Sequence, residues 1–261
     1  MKLSDSIGIL DQFSKIDLAS MDSVSLMNRM DSKYIVSGHR LPEILERVKP
    51  HYRLLEVEGL TCQPYETRYY DTQAYYFFRQ HVTGSPIRYK VRFREYKASG
   101  ISFLEVKKRT GKWRTSKCRI GNKPLDDGKL DPEGYSFLKP FMKFRTGELT
   151  PVLLNGFTRL TLVESGFRER ATIDFDLSFS DQSGNTIRFP FITIVELKRD
   201  GHSRNSPLAE TMKALAVNPA GFSKYCIGIS SLYDVPGKNV LKGKLCQIKK
   251  IEDEYNRYWC A

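Results

Sequence analysis

The sequence predicts an α+β protein: about eight antiparallel strands form the body, and helices flank it at both chain ends. Three observations carry this. From residue 52 onward, apolar and polar residues alternate with period two in segments rich in Tyr, Phe, Val, Ile and Thr. Short turns such as "KASG", "TGK" and "DQSGN" join most of them, which suits antiparallel neighbours and leaves no room for crossover helices. Toward both ends the apolar residues fall instead at three- and four-residue spacings.

In chain order, "ILDQFSKIDLASMDSVSLMNRM" predicts one or two short helices, after which "DSKYIV" turns extended. "RLPEILERVKP" predicts a helix, with Pro42 in its first turn and Pro50 ending it, so helices occupy residues 1–50. The strands span 52–200: "YRLLEVEG", "YETRYYDT", "PIRYKVRFREY", "ISFLEVKKRT", "WRTSKCRI", "PVLLNGFTRLTLVE", "FRERATIDFDLSF" and "TIRFPFITIVELKRD". Residues 124–148, broken by Pro and Gly, insert a short helix around Tyr135 to Phe144. "SPLAETMKALAV" predicts a helix with Ser206 as cap and Pro207 in the first turn, and "VLKGKLCQIKKIEDEYNRYW" a second, making 205–261 helical. No repeat, low-complexity tract or long linker divides the chain, so 1–261 is expected to be one domain.

A hydrophobic content of 40 %, with 14 Tyr and 15 Phe, is enough to build a core. The 42 Lys and Arg against 30 Asp and Glu give a net charge of +12, which favours a polyanionic partner. Five scattered cysteines without a CxxC pair argue against a disulfide framework or a zinc site and suit a reducing compartment. No stretch has the length of an apolar membrane span, and "MKLSDSIGILDQF" lacks the apolar core of a signal peptide, so a soluble, cytoplasmic protein is expected. The absence of GxxxxGKS and GxGxxG disfavours P-loop and dinucleotide folds. His39, His51, His81 and His202 show no metal spacing and read as surface or packing residues.

The informative pattern lies in "PIRYKVRFREY", where Arg88, Lys90, Arg92 and Arg94 share one face and Tyr89, Val91 and Phe93 the other. Other strands repeat it: Glu105, Lys107 and Arg109; Lys117 and Arg119; Arg159; Arg170, Asp174 and Asp176; Glu196 and Lys198. Two structures fit. An open sheet would show these faces to water, whereas a closed barrel would turn them toward an enclosed anion. The dominance of one sign favours the barrel, because like charges set opposite each other destabilise a sheet unless something anionic lies between them. Glu105, Asp174, Asp176 and Glu196 are then salt-bridge partners or ligands for a hard divalent cation. In "GFSKYCIG", Ser223 and Lys224 fit a phosphate clamp or a plain helix start.

Taken in order, "RMDSKY", "YYDT", "VRFREY", "FLEVKKRTGKWRTSK", "FTR", "RATID", "IVELK" and "FSKY" resemble the catalytic domain of the vacuolar transporter chaperone family. Its members are polyphosphate polymerases of the triphosphate tunnel metalloenzyme (CYTH-like) superfamily. The resemblance covers about residues 10 to 230. It implies an antiparallel eight-stranded β-barrel tunnel with helices packed outside at both termini. It implies phosphate contacts from Lys33, Arg92, Arg94, Lys107, Arg109, Lys117, Arg159, Arg170, Lys198, Ser223 and Lys224. Arg92, Arg94, Lys107 and Glu196 would be catalytic, with Glu196 holding Mn²⁺ or Mg²⁺. Arg88 and Lys90, earlier on the same face, are expected at the tunnel mouth.

The implied reaction passes the terminal phosphoryl group of ATP to a growing polyphosphate chain. The alternatives are a triphosphatase acting on tripolyphosphate or a nucleoside triphosphate, and a non-catalytic polyphosphate-binding module. Tyr34, Tyr69 and Tyr70 are candidates to stack on the nucleobase. The partners implied are ATP or another triphosphate and polyphosphate, without nucleic acid or membrane insertion; any membrane attachment would run through a membrane-protein partner. Two positions depart from the yeast-type pattern: Arg109 stands where those enzymes have histidine, and Gly221 where they have lysine.

Overall fold

The computed structural model describes residues 8–21, 29–111, 115–122, 124–125, 127–142, 149–200 and 206–260. The strands are β1 (Lys15–Ile16), β2 (Arg29–Ser37), β3 (Tyr52–Leu55), β4 (Gln63–Thr72), β5 (Arg88–Tyr96), β6 (Ile101–Arg109) and β7 (Thr115–Gly121). They continue with β8 (Leu149–Glu164), β9 (Glu169–Ser180), β10 (Thr186–Phe189) and β11 (Ile192–Asp200). The helices are α1 (Leu18–Met21), α2 (Leu41–Val48), α3 (Tyr76–Val82), α4 (Pro132–Leu138), α5 (Pro207–Ala214), α6 (Lys224–Leu232) and α7 (Lys242–Cys260). Trp113, His202 and the stretch of the insertion that includes Phe144 lie outside the described residues.

Eight strands follow one another across the sheet in the order β2-β11-β9-β8-β4-β5-β6-β7, each antiparallel to the next. Three short strands hang off this path and bring the sheet to eleven: β10 on β9, β3 on β8, and β1 parallel to β3. The expected count of eight is corrected for three reasons. "DSKYIV" is a full strand, "KI" adds a two-residue pair, and "TIRFPFITIVELKRD" splits where Pro190 cannot donate to a ladder.

The expected closure into a barrel is also corrected: among the described residues the end strands β2 and β7 do not pair. The sheet is nevertheless curled far enough that Lys33 of β2 and Thr115 of β7 line one cavity. Strand twist accumulates over an eight-strand path into such a curl.

Residues directly opposite in a ladder share a face, so the register assigns the two surfaces. The concave face takes Lys33, Glu196, Thr172, Thr161, Arg159, Asp174, Tyr65, Thr67, Arg92, Arg94, Glu105, Lys107 and Lys117. The convex face is apolar. Tyr34, Val36, Leu160, Leu162, Ala171, Ile173, Val195 and Leu197 bury against Leu41, Ile44, Leu45 and Val48 of α2 and Leu208 and Met212 of α5. Farther round, Tyr89, Val91, Phe93, Leu104 and Val106 bury against Phe77 of α3 and Leu138 of α4.

The helices form where the sequence supplies faces and caps. Leu41, Ile44, Leu45 and Val48 of α2 recur at three and four residues, which makes one buried stripe. The Ser206 Oγ accepts from Ala209 N at 3.1 Å at the start of α5, as read from the sequence. Helix α6 starts in the same way, with Ser223 Oγ accepting from Cys226 N at 3.2 Å. Tyr225 through Ser230 are all buried, so α6 is wrapped by protein and plugs the apolar end of the concave face. Gly228 permits this approach, because a Cβ there would meet Leu153 and Phe179 side-chain carbons at 2.6 and 2.7 Å.

Candidate functional site

Three carboxylates of the concave face each clamp two cations. Glu105, 1 % exposed, accepts from Arg92 Nε at 2.7 Å and pairs through its other oxygen with Lys117. Asp174 takes a two-point bond from Arg159, Nε to Oδ1 at 2.6 Å and Nη2 to Oδ2 at 2.8 Å, and also pairs with Lys224. Glu196 pairs with Lys33 at 2.5 Å and with Lys198 at 3.3 Å. Each clamp joins neighbouring elements: β5-β6-β7, β8-β9-α6 and β2-β11.

The cations dominate this field. Burial alone would raise the Glu105 carboxyl, but Arg92, Arg94 and Lys117 bring it down to about 2. Against the same burial cost, Arg159 and Lys224 hold Asp174, and Lys198 and Lys33 hold Glu196, well below the ordinary carboxylate range. The amines move the other way. Burial, helped by Arg159 and Arg94 and opposed by Asp174, pushes Lys224 down to about 7. Burial, with Lys107 and Arg92, pushes Lys90 down to about 8. Lys107, Lys117 and Lys198 are likewise lowered, with burial the largest cause.

Lys90, Arg94 and Lys107 stand outside the clamps: among the described residues, no carboxylate pairs with any of them. Lys90 donates to Ser223 Oγ at 3.0 Å, and Arg94 Nε donates to Thr67 Oγ1 at 3.2 Å. Burial, with Arg92 and Arg159 nearby, pushes Arg94 down to about 10. An aromatic floor supports the deeper cations: Lys224 Nζ lies 3.7 Å from the Phe157 ring centre, and the Arg159 guanidinium 5.0 Å from that of Tyr65.

The mouth of this face is a cavity of about 490 Å³ lined by Lys33, His81, Arg88, Lys90, Lys107, Arg109, Gly221, Ser223 and Lys244. A larger hollow of about 1080 Å³, beside Tyr75, Tyr76 and Tyr233, has only Arg79 and Asp181 as charged lining and lies apart from the cation cluster.

Most positions singled out in the sequence converge here. Lys33, Lys107, Arg109 and Ser223 line the mouth, joined by Arg88 and Lys90. Arg92, Arg94, Lys117, Arg159 and Lys224 lie on the same face beyond it, while Arg170 and Lys198 face each other across β9 and β11. The Ser223 hydroxyl has a structural task, capping α6 and receiving Lys90.

Two expectations are corrected. Asp176 does not share the face of Asp174: a bulge opposite Phe157 gives Asp176 a φ of 51° and turns it to solvent. Tyr34 and Tyr70 belong to the convex face, Tyr34 in the α2/α5 cluster and Tyr70 donating its hydroxyl to Gly128 O at 2.8 Å, so neither reaches the lumen. Tyr69, opposite Arg92, remains inside.

His81 and Lys244 are members of the mouth that sequence spacing missed. His81 lies on a helix too short for a period to register, and Lys244 on a helix remote in sequence. Tyr65 and Thr67 were legible in principle, since "YETRYYDT" puts them in phase with Tyr69.

Among the described residues no three His, Cys, Asp or Glu side chains converge as a metal cage. Glu196 is an ionised carboxylate whose two oxygens meet Lys33 and Lys198, and Asp31, opposite Lys198, lies diagonally from it on the same face. A hard cation such as Mg²⁺ needs only one or two carboxylates when phosphates and water complete its shell, so this donor set fits one. Among the described residues no helix is long and apolar enough to cross a membrane.

A curled antiparallel sheet with a cation-lined concave face and helices outside defines a tunnel fold. The same fold occurs in a Bacillus halodurans protein provisionally named an adenylate cyclase: TM-score 0.51 at 12 % identity, covering 79 % of this chain and 98 % of that one. A Hippeastrum protein, provisionally named an adenylyl cyclase and described as having a dominant triphosphatase activity, is similar at TM-score 0.43 and 13 % identity, covering 81 % of this chain and 99 % of that one. Comparison with curated protein sequences gives no match. The VTC domain family matches residues 28–233, and the chain belongs to that family.

Proposed function

We propose that the chain is a metal-dependent phosphotransferase that holds ATP with its phosphates in the basic lumen and passes the terminal phosphoryl group to a growing inorganic polyphosphate. The observation that carries this reading is the row of Lys90, Arg94 and Lys107, with Arg94 buried, Lys90 half-buried and Lys107 exposed, cations without a carboxylate partner among the described residues on a face that already spends three carboxylates on six others. Uncompensated buried charge is costly, and a chain of phosphates is the partner whose repeat and charge relieve it along the whole strand face.

Phosphoryl transfer requires positioning and charge neutralisation more than a covalent enzyme intermediate. The terminal oxygen of the polyphosphate attacks the γ-phosphorus, the bond from that phosphorus to the β,γ-bridging oxygen breaks, and ADP leaves with the electron pair. Arg92, Arg94 and Arg159 offer planar, multi-point contacts to equatorial oxygens, and Lys107, Lys117 and Lys224 supply compact charge. Glu196, with Asp31 close by, would hold Mn²⁺ or Mg²⁺, which contributes charge on the phosphate oxygens. Lys33 and Lys198 keep Glu196 ionised for that task.

A second reading, a module that binds polyphosphate without turnover, draws support from the occupation of both Glu196 oxygens by lysines. Incubation of the purified protein with ATP and Mn²⁺, followed by gel separation of the phosphate products, tests both. Long chains are the expected product. Free phosphate would replace the polymerase with a triphosphatase, and tight polyphosphate binding without turnover would leave the binding module.

A further inference from the structure

We propose that Lys244, on the helix that follows the matched family domain, contacts the phosphate chain at the tunnel mouth, across from the open wall at Gly221. The inference rests on the polyphosphate reading of the lumen and adds to it a residue outside residues 28–233, where the family match ends.

Three observations carry it. Gly221 and Lys244 line the same cavity, together with Lys33, Lys90 and Lys107, so a cation at either position acts on the same space. A Cβ built on Gly221 meets nothing within 4 Å, so that wall has space where a lysine would stand. Lys244 is also partly buried with no carboxylate partner among the described residues; its Nζ donates to the neutral Gln247 Oε1 at 2.8 Å. Burial lowers its pKa, as it does for Lys90 and Lys107 in the same cavity. Other lysines of α7 differ: Lys249 pairs with Glu252 at 2.8 Å and faces solvent.

The placement of Lys244 follows from helix packing. Ile248 and Ile251 bury in the core cluster that contains α6, with Leu241, Leu245 and Tyr255 packed against it. Lys244 lies one turn before Ile248, on the flank of this stripe, so docking α7 through its apolar residues directs the amine to the seam the sheet leaves open. The helix thereby brings a cation to the mouth.

The test is binding of long-chain polyphosphate at low and moderate salt by wild type, Lys244→Met, Lys244→Met with Gly221→Lys, and Lys250→Met. Methionine keeps most of the stem, and thermal unfolding verifies that each variant is folded. Lys244→Met is expected to weaken binding by about tenfold and to reduce the slope of log affinity against log salt by about one contact. Gly221→Lys is expected to restore both, and Lys250→Met, on an exposed position, to change neither.

Wild-type-like affinity in Lys244→Met, or a double variant no better than the single one, overturns the inference. Failure of folded wild type to bind polyphosphate overturns the underlying reading instead. Retained wild-type binding that Arg92→Ala weakens and Lys244→Met does not removes Lys244 alone.

Discussion

Arg159 and Asp174 face each other across β8 and β9 in a two-point ion pair, and Lys224 reaches the same carboxylate from α6. One buried carboxylate therefore pairs with two cations and ties the plug helix to the sheet. Asp174→Asn leaves both cations uncompensated in an enclosed site and should cost about 3 kcal/mol of stability. Tripolyphosphate should then raise the unfolding midpoint of the variant more than that of wild type, because the anion replaces the missing charge. Differential scanning fluorimetry with and without the anion measures this; equal shifts in both proteins would show that the anion does not reach Asp174's partners.

Arg92 and Arg94 are two residues apart on one face, yet their surroundings predict opposite effects on stability. Arg92 compensates Glu105, which is 1 % exposed, whereas Arg94 has Thr67 and no carboxylate among the described residues. Arg92→Met should lower stability by about 2 kcal/mol, since Glu105 then depends on Lys117 alone. Arg94→Met should raise the unfolding midpoint, because it removes an uncompensated buried charge and keeps the stem. Both should weaken polyphosphate binding by roughly tenfold or more, the trade expected where function holds unfavourable charge in place. A matching loss of stability in both variants would refute the distinction.

These two arginines also show what the sequence made legible. Alternation along β5, β6, β8 and β11 put the cations and carboxylates on one face, and the ladders keep that phase. Period two cannot count one-residue insertions, so the bulge that separates Asp176 from Asp174 was invisible. Nor can it say whether two edge strands meet. Closure depends on twist accumulated over eight strands, and here the two end strands line one cavity without pairing among the described residues. His81 and Lys244 reach the mouth through tertiary packing of helices whose own patterns report only their apolar faces. Helix α3 itself depends on a long-range arrangement: Asp71 accepts from Phe77 N at 2.9 Å and Phe78 N at 3.0 Å while Tyr225 of α6 donates to the same carboxylate.

Lys224 at about 7 and Lys90 at about 8 lie below the ordinary lysine value of 10.5, with burial the first cause for each. Between these folded values and 10.5 the unfolded chain binds more protons, so the stability of the ligand-free protein should rise with pH from 7 toward 10. Polyphosphate favours the protonated amines, so its affinity should fall over the same interval and its binding should take up protons. Urea unfolding at both ends of the interval, with calorimetric titration in buffers of different ionisation enthalpy, checks both signs. Affinity that is flat with pH, or proton release on binding, would remove these amines from the phosphate path.

His81 lines the cation-rich mouth, and burial together with Lys90 and Arg88 pushes its pKa down to about 3. Its folded value lies below the ordinary 6.5, so the unfolded chain binds the extra proton and stability should decline as pH falls from 6.5 toward 3. A phosphate chain in the mouth reverses the local field and should raise the His81 value. Imidazole proton shifts followed by NMR should therefore titrate at higher pH with tripolyphosphate present. An unchanged titration would mean that the anion binds too far from His81 to alter its field.

Glu196 offers the sharpest separation of binding from turnover. Its carboxylate pairs with Lys33 and Lys198, and in the proposed reaction it holds the divalent cation. Glu196→Gln keeps the shape, removes the charge and frees both lysines for phosphate. Polyphosphate affinity should therefore be retained or improved by a few-fold, while product formation from ATP with Mn²⁺ falls by at least about a hundredfold. Dependence on metal concentration distinguishes the causes: a metal ligand's loss should be partly offset by higher Mn²⁺, whereas a merely structural salt bridge would not respond. Turnover equal to wild type would remove Glu196 from the metal site, and loss of binding together with turnover would make the residue a structural support of β2 and β11.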